Sequence, residues 1–259
     1  MEPMSISDRL KSFRKGLSKC AHSVSRPASF AAGLEAVFED PVLKVTRVGD
    51  RSAPNVIVAF TGIRHGLGQI AAEEFVGSSQ MDGYSALFVS DMTCSWYNSF
   101  GSDQLLEIIA PFLVDKRIVT LGNSRGGFGA IWASQFVGAA CTLAFAPQFS
   151  VKPEIVPDEK RWMNFRSKIK HWRVDSLADA FGPRTNYITI NGNADAEHYR
   201  HFKGTKNQTH LLIPNSKHNP ASVLKEAGVM NEVIALAAAG IDPFERIRNC
   251  GIDVSRVGA

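Results

Sequence analysis

Three side chains stand where acyl chemistry would need them. Ser124 lies in Gly122-Asn123-Ser124-Arg125-Gly126-Gly127, directly after the apolar run Arg117-Ile118-Val119-Thr120-Leu121 and directly before Phe128-Gly129-Ala130-Ile131-Trp132-Ala133. A serine between glycines at a strand-to-helix junction is pushed outward by the tight turn, and its small neighbours let strand and helix approach each other. Further along, the strand-like run Asn186-Tyr187-Ile188-Thr189-Ile190-Asn191 ends in Gly192-Asn193-Ala194-Asp195. The next such run, Thr209-His210-Leu211-Leu212-Ile213, ends in Pro214-Asn215-Ser216-Lys217-His218-Asn219-Pro220. Each candidate therefore follows the end of its own strand.

The chemistry asks for these residue types. A serine hydroxyl needs a base within hydrogen-bond reach, and a neutral imidazole titrates in the useful range, a role open to His218. The imidazole needs a carboxylate on its other nitrogen to fix its tautomer and offset the imidazolium charge, which Asp195 can supply. Each residue also has a plainer reading. Ser124 can be a turn serine, Asp195 a helix cap with Glu197 as the reserve acid, and His218 a residue at a helix start before Asn219-Pro220. Asp195, His198 and His201 are spaced three apart, but not in the pattern of the zinc protease motif, and no metal or other cofactor is expected.

The elements that would position these residues alternate along the chain. Leu34–Glu39 and Leu43–Val48 read as an opening antiparallel hairpin. Strands are then expected at 55–60, 84–90, 117–121, 139–146, 186–191 and 209–213. Helical patterns fall near 69–78, 102–114, 126–138, 158–170, 196–203 and 220–239. Such alternation predicts an α/β fold with a mostly parallel sheet covered by helices on both faces. The carboxyl ends of its strands line one edge, where ligand crevices form.

The Gly-x-Ser-x-Gly turn and the order Ser124, Asp195, His218 resemble the α/β-hydrolase superfamily from about Val56 to about Gly240. The resemblance implies a serine hydrolase that cleaves an ester, thioester or amide through an acyl-enzyme, with esters favoured. It places two backbone oxyanion donors at Arg125 and in the Thr61-Gly62-Ile63 turn. Thr61-Gly62 stands where many members carry His-Gly, which makes Ile63 the expected second donor, with Thr61, Gly62 and Gly66 left open. It also implies a short cap at about 147–185. The segment from Ala146-Pro147-Gln148 to Trp162 is similar to hydrolase-like proteins associated with bacterial surface polysaccharides, which fixes no substrate. An acyltransferase using the same triad, or a catalytically silent binding module of this fold, are the alternatives.

Two segments are expected to shape the pocket. The loop after Val89-Ser90-Asp91 carries Trp96 and Tyr97, which would grip an apolar or sugar face, and the cap adds Trp162 among many cations. The expected substrate is a small acyl ester or acylated sugar.

Composition sets the remaining bounds. The chain has 259 residues, 44% of them hydrophobic, enough for one large domain at 27–259. Its net charge of +4 comes entirely from the first 26 residues, which hold six basic and two acidic side chains. The evenly balanced body argues against nucleic acid as a partner. In that first segment Ile6, Leu10, Phe13, Leu17 and Cys20 fall on one helical face, predicting a basic amphipathic helix over 1–26. It would pack on the body, join two copies in a homodimer, or lie on an anionic surface. Four unpatterned cysteines and the lack of a long apolar run suit a cytoplasmic protein.

Overall fold

A computed structural model describes residues 33–63 and 73–257. The amphipathic segment expected at 1–26 lies outside the described residues. Nine strands form one sheet: β1 (Glu35–Glu39), β2 (Leu43–Val48), β3 (Asn55–Phe60), β4 (Tyr84–Asp91), β5 (Arg117–Asn123), β6 (Cys141–Phe145), β7 (Asn186–Gly192), β8 (Gln208–Ile213) and β9 (Ser255–Arg256). Their spatial order is β1-β2-β4-β3-β5-β6-β7-β8-β9. Strands β3 to β8 are parallel to their neighbours within that set, while the β1–β2, β2–β4 and β8–β9 pairs are antiparallel. From β3 the chain moves one way to β4 and then back past β3 to β5, so the strand order reverses beside the end of β5. A crevice opens at such a reversal because the connections leave on opposite sides.

The sheet is apolar on both faces, as buried parallel strands require. Val56, Val58 and Phe60 of β3 enter one core cluster and Ile57 and Ala59 the other, following the two-residue period of a strand. The first cluster also takes up Phe149, Val151, Trp162 and Leu177, so the segment between β6 and β7 packs as part of the core.

Helical periodicity was overruled in several places. The pattern at 158–170 yields a helix only over Met163–Arg166. Arg161 there turns back on Glu159, its N–H and guanidinium both bonding that carboxylate. Side chains two residues apart do not face each other on a helix, so this pair favours a turn. The pattern at 220–239 is broken at Gly228, whose φ of 73° ends Pro220–Glu226 before Met230–Ala238 begins. Pro111 converts the end of the 102–114 pattern into a single 3₁₀ turn after Ser102–Ile109. The helix Phe244–Arg248 and the two-residue strand β9 are additions that their short patterns did not announce.

The junction between β5 and the helix Arg125–Ser134 leaves no room for side chains at its glycines. A Cβ on Gly122 would lie 2.1 Å from the Gly126 carbonyl oxygen, and one on Gly126 would lie 2.1 Å from that of Phe60. Both obstacles are backbone atoms and cannot swing aside. We expect Gly126→Ala to cost ~3 kcal/mol or more of stability, at or above the usual cost of overpacking, measured as a lowered midpoint of urea unfolding. An unchanged midpoint would mean that strand and helix are not in this contact.

Candidate active site

Ser124 sits at the turn between β5 and the helix Arg125–Ser134 with φ 57° and ψ −119°, a conformation that L side chains rarely adopt. Its N–H bonds to the Phe145 carbonyl at 2.7 Å, which pins the turn to the neighbouring strand. From there the side chain meets two residues far away in sequence. The Ser124 hydroxyl donates to His218 Nε2 at 2.8 Å, and His218 Nδ1–H donates to Asp195 Oδ1 at 2.5 Å. Asp195 is fully buried, whereas the His218 side chain keeps 22% of its surface exposed.

The loops that bring Asp195 and His218 together need a close backbone approach. A Cβ on Gly192 would lie 1.7 Å from the Lys217 carbonyl oxygen, so only glycine at the end of β7 lets the Lys217-His218 loop come in over Asp195. Asp195 does stand at the N-cap of the short helix Ala196–Tyr199, but its side chain makes no capping bond there. Glu197, the reserve acid, instead pairs with Arg200 at 2.7 Å.

Two further side chains bear on the hydroxyl and the imidazole. Gln148, completely buried after β6, donates from Nε2 to Ser124 Oγ at 3.0 Å, while its Oε1 accepts from Trp96 Nε1 at 3.1 Å. The Trp162 ring lies 5.6 Å from that of His218, centroid to centroid. Trp162 is thus beside His218, but Trp96 and Tyr97 are not at the rim. Both are fully buried, which corrects the expectation that they grip substrate. Trp96 instead holds Gln148, and Tyr97 packs on Phe60 and Trp132 with its hydroxyl bonded to the Thr61 carbonyl at 3.1 Å. Tight turns with positive φ at Cys94, Trp96 and Tyr97 fold this loop inward, and nothing in its composition signals that. Asn98 closes the same loop against the segment between β6 and β7, accepting from the N–H groups of Arg173 at 2.6 Å and Val174 at 2.8 Å.

Arg125 contributes more than the backbone N–H assigned to it from sequence. Its buried guanidinium donates to the Asp91 carbonyl at 2.8 Å and to the Gly62 carbonyl at 2.9 Å, and pairs with the Asp91 carboxylate at 3.4 Å. Asp91 in turn accepts from the N–H groups of Thr93, Ser95 and Tyr97. Burial disfavours the charged guanidinium, but the Asp91 carboxylate together with Tyr97, Cys94 and Glu74 outweighs this and raises the Arg125 pKa. One side chain next to Ser124 therefore ties together the loops after β3 and β4. Among the described residues, the N–H groups of Arg125 and Ile63 have no acceptor, whereas the Gly62 N–H donates to Glu74 Oε2 at 3.2 Å. That leaves the Gly62 N–H engaged.

No cluster of three or more potential metal ligands occurs among the described residues. His198 bonds Glu159 at 2.9 Å and His201 stacks on Phe149, so the set Asp195, His198, His201 is dispersed among other partners. No helix among the described residues is long and apolar enough to cross a membrane.

With this geometry in hand, comparison with known proteins places the fold. No protein-family profile and no curated protein matches the chain. Solved structures do. The capsule O-acetyltransferase of Neisseria meningitidis serogroup A is similar over 85% of this chain and 99% of its own, with a TM-score of 0.58 at 13% identity. MPT51 of Mycobacterium tuberculosis is similar over 80% of this chain and 99% of its own, with a TM-score of 0.57 at 14% identity. VinJ follows at 0.54 and 12% identity, covering 82% of this chain and 99% of its own. The chain has the α/β-hydrolase fold.

Because Arg125 and Asp91 are 1% and 0% exposed, removing one leaves the other as a buried, uncompensated charge. We expect Arg125→Met to lose about 3–5 kcal/mol of stability, read by urea unfolding. The double variant with Asp91→Asn should lose clearly less than the sum of the two single changes. Strict additivity would show that the pair is not coupled.

Proposed function

We propose that the protein is an enzyme of the α/β-hydrolase kind that transfers an acyl group through Ser124. The observation that carries this reading is the unbroken hydrogen-bonded chain from Ser124 Oγ through His218 to the buried Asp195. In the first half-reaction His218 Nε2 takes the hydroxyl proton as Oγ bonds to the ester carbonyl carbon. The oxyanion accepts from the Arg125 and Ile63 N–H groups. The carbon–oxygen bond of the leaving group then breaks, and the leaving alcohol takes the proton from His218. In the second half-reaction His218 deprotonates an incoming acceptor, which attacks the acyl-Ser124 ester and regenerates the hydroxyl. Asp195 holds the imidazole by Nδ1 throughout and offsets its transient positive charge.

The acceptor is water in an esterase and an alcohol in an acyltransferase, and the two share every step up to the acyl-enzyme. The resemblance of fold to a capsule O-acetyltransferase keeps the second outcome beside the first. For the substrate we favour a carboxylic ester on a small polar molecule such as an acylated sugar. Trp162 borders His218, and the stretch 160–173 around it carries the exposed Lys160, Lys168, Lys170 and Arg173, besides the paired Arg161 and the buried Arg166, without a single acidic side chain. Such a border suits a polar or anionic substrate better than a long acyl chain.

A fluorophosphonate, which reacts only with an activated serine, should label the wild type and fail to label Ser124→Ala. His218→Ala should lower turnover of an accepted acetyl ester by roughly four orders of magnitude, as loss of a triad member does. A folded wild type that resists labelling would instead support a catalytically silent binding module. Offering an acetylated donor together with a saccharide, and weighing free acetate against acetylated saccharide, separates hydrolysis from transfer.

A further inference from the structure

Asp195 has an unusual set of partners for a fully buried carboxylate. Its Oδ1 carries both bonds, from His218 Nδ1 at 2.5 Å and from Arg161 Nη1 at 3.0 Å. Its Oδ2 is buried without a partner among the described residues. While His218 is neutral, before the hydroxyl proton moves, Arg161 is thus the one cation paired with this carboxylate among the described residues. A buried carboxylate lacking such compensation is costly, and the usual response is for the group to lose its charge or to turn away.

Arg161 is itself held in place. Its Nε bonds both oxygens of Glu159 at 3.0 and 2.9 Å, and its Nη2 pairs with the same carboxylate. Glu159, 2% exposed, also accepts from His198 Nε2 at 2.9 Å, and His198 is fully buried. Burial alone would push the Glu159 carboxyl up, but the bonds from His198 and Arg161 outweigh it and hold the group well below the usual carboxylate range. The Arg161 guanidinium also lies over Trp162, with Cζ 5.9 Å from the ring centroid, and Trp162 also borders His218. A guanidinium presents donors along several edges of one plane, so a single side chain can bridge two carboxylates, as a lysine cannot do in the same geometry.

We propose that Arg161, braced by Glu159 and His198, is a positioning residue for the reaction: it fixes Asp195 Oδ1 toward His218 and balances the acid's charge in the resting site. The inference rests on the reading of Ser124, His218 and Asp195 as the reacting relay. It assigns a role to a residue lying between β6 and β7, outside the loops that carry those three. Arg161 retains 32% exposure of its side chain, so a small cation can reach the place it would leave.

The test uses the full chain as wild type, Arg161→Ala, Arg161→Lys, Glu159→Gln and Ser124→Ala, with p-nitrophenyl acetate as the ester. We expect Arg161→Ala to lower kcat by roughly 10- to 100-fold, as losing an outer partner of a catalytic group does, while KM stays within about twofold. Millimolar guanidinium should restore part of that loss and an equal concentration of sodium chloride should not. Arg161→Lys and Glu159→Gln should fall between Arg161→Ala and wild type. In proton NMR, the low-field His218 Nδ1–H signal, identified by its absence in His218→Ala, should shift or broaden in Arg161→Ala. A kcat within about twofold of wild type, or an unmoved His218 signal, overturns the proposal. If Arg161→Ala does not fold, Arg161→Lys and Glu159→Gln carry the test through their smaller loss of kcat and a shifted or broadened His218 signal. If the wild type shows no turnover that Ser124→Ala abolishes, the acyl-transfer reading fails instead. The His218 signal still decides whether Arg161 holds the acid.

Discussion

A side chain at φ 57° is retained only where the surroundings leave it no alternative, and at Ser124 those surroundings are backbone. The absence of Cβ atoms at Gly122 and Gly126 lets β5 and the following helix close to contact distance, and the Ser124 N–H is then drawn to the Phe145 carbonyl of β6. The hydroxyl is thereby aimed out of the sheet edge at the point where strand order reverses. Everything else in the site is placed with respect to that fixed atom. His218 and Gln148 approach it from the loops after β8 and β6, and Arg125 braces the loops after β3 and β4 from the next position along the helix.

Two arginines divide the electrostatic work. Arg125 is wholly buried, answers Asp91, and acts on backbone carbonyls, so its charge is used to hold loop conformations together. Arg161 is partly exposed, answers Glu159 and Asp195, and reaches a carboxylate that is in turn bonded to an imidazole. In both cases a buried acid is matched by a guanidinium with several donors, which lets one cation satisfy several acceptors. The charges of these buried acids are therefore compensated within the fold.

Much of the fold was legible because its signals are local. Six parallel strands announce themselves as short apolar runs, and the glycines at 122 and 126 mark the strand-to-helix turn through their lack of side chains. The positions of Asp195 and His218 could be read from strand ends for the same reason. What escaped was tertiary. Trp96 and Tyr97 looked like rim aromatics, yet left-handed backbone at Cys94, Trp96 and Tyr97 folds them inward, and no residue type advertises it. Gln148 is an ordinary glutamine until β6 and β5 are side by side. The helix expected at 158–170 shrank to Met163–Arg166 because Arg161 makes its bonds to Glu159 and Asp195, partners that periodicity does not register. The same blindness hid the guanidinium of Arg125 behind its backbone.

The contact between Arg161 and Asp195 has a bearing on how this scaffold can change. Inserts between consecutive strands are the parts of an α/β scaffold most freely lengthened, shortened or exchanged, since surface loops tolerate such edits. Here the insert after β6 also furnishes a partner for the carboxylate beside the imidazole, so under the proposed function recognition and reactivity would share one stretch of chain. Grafting a foreign insert to recruit a new substrate would remove that partner as well. A graft that kept residues 159–162 and redrew only what lies beyond them would separate the two tasks.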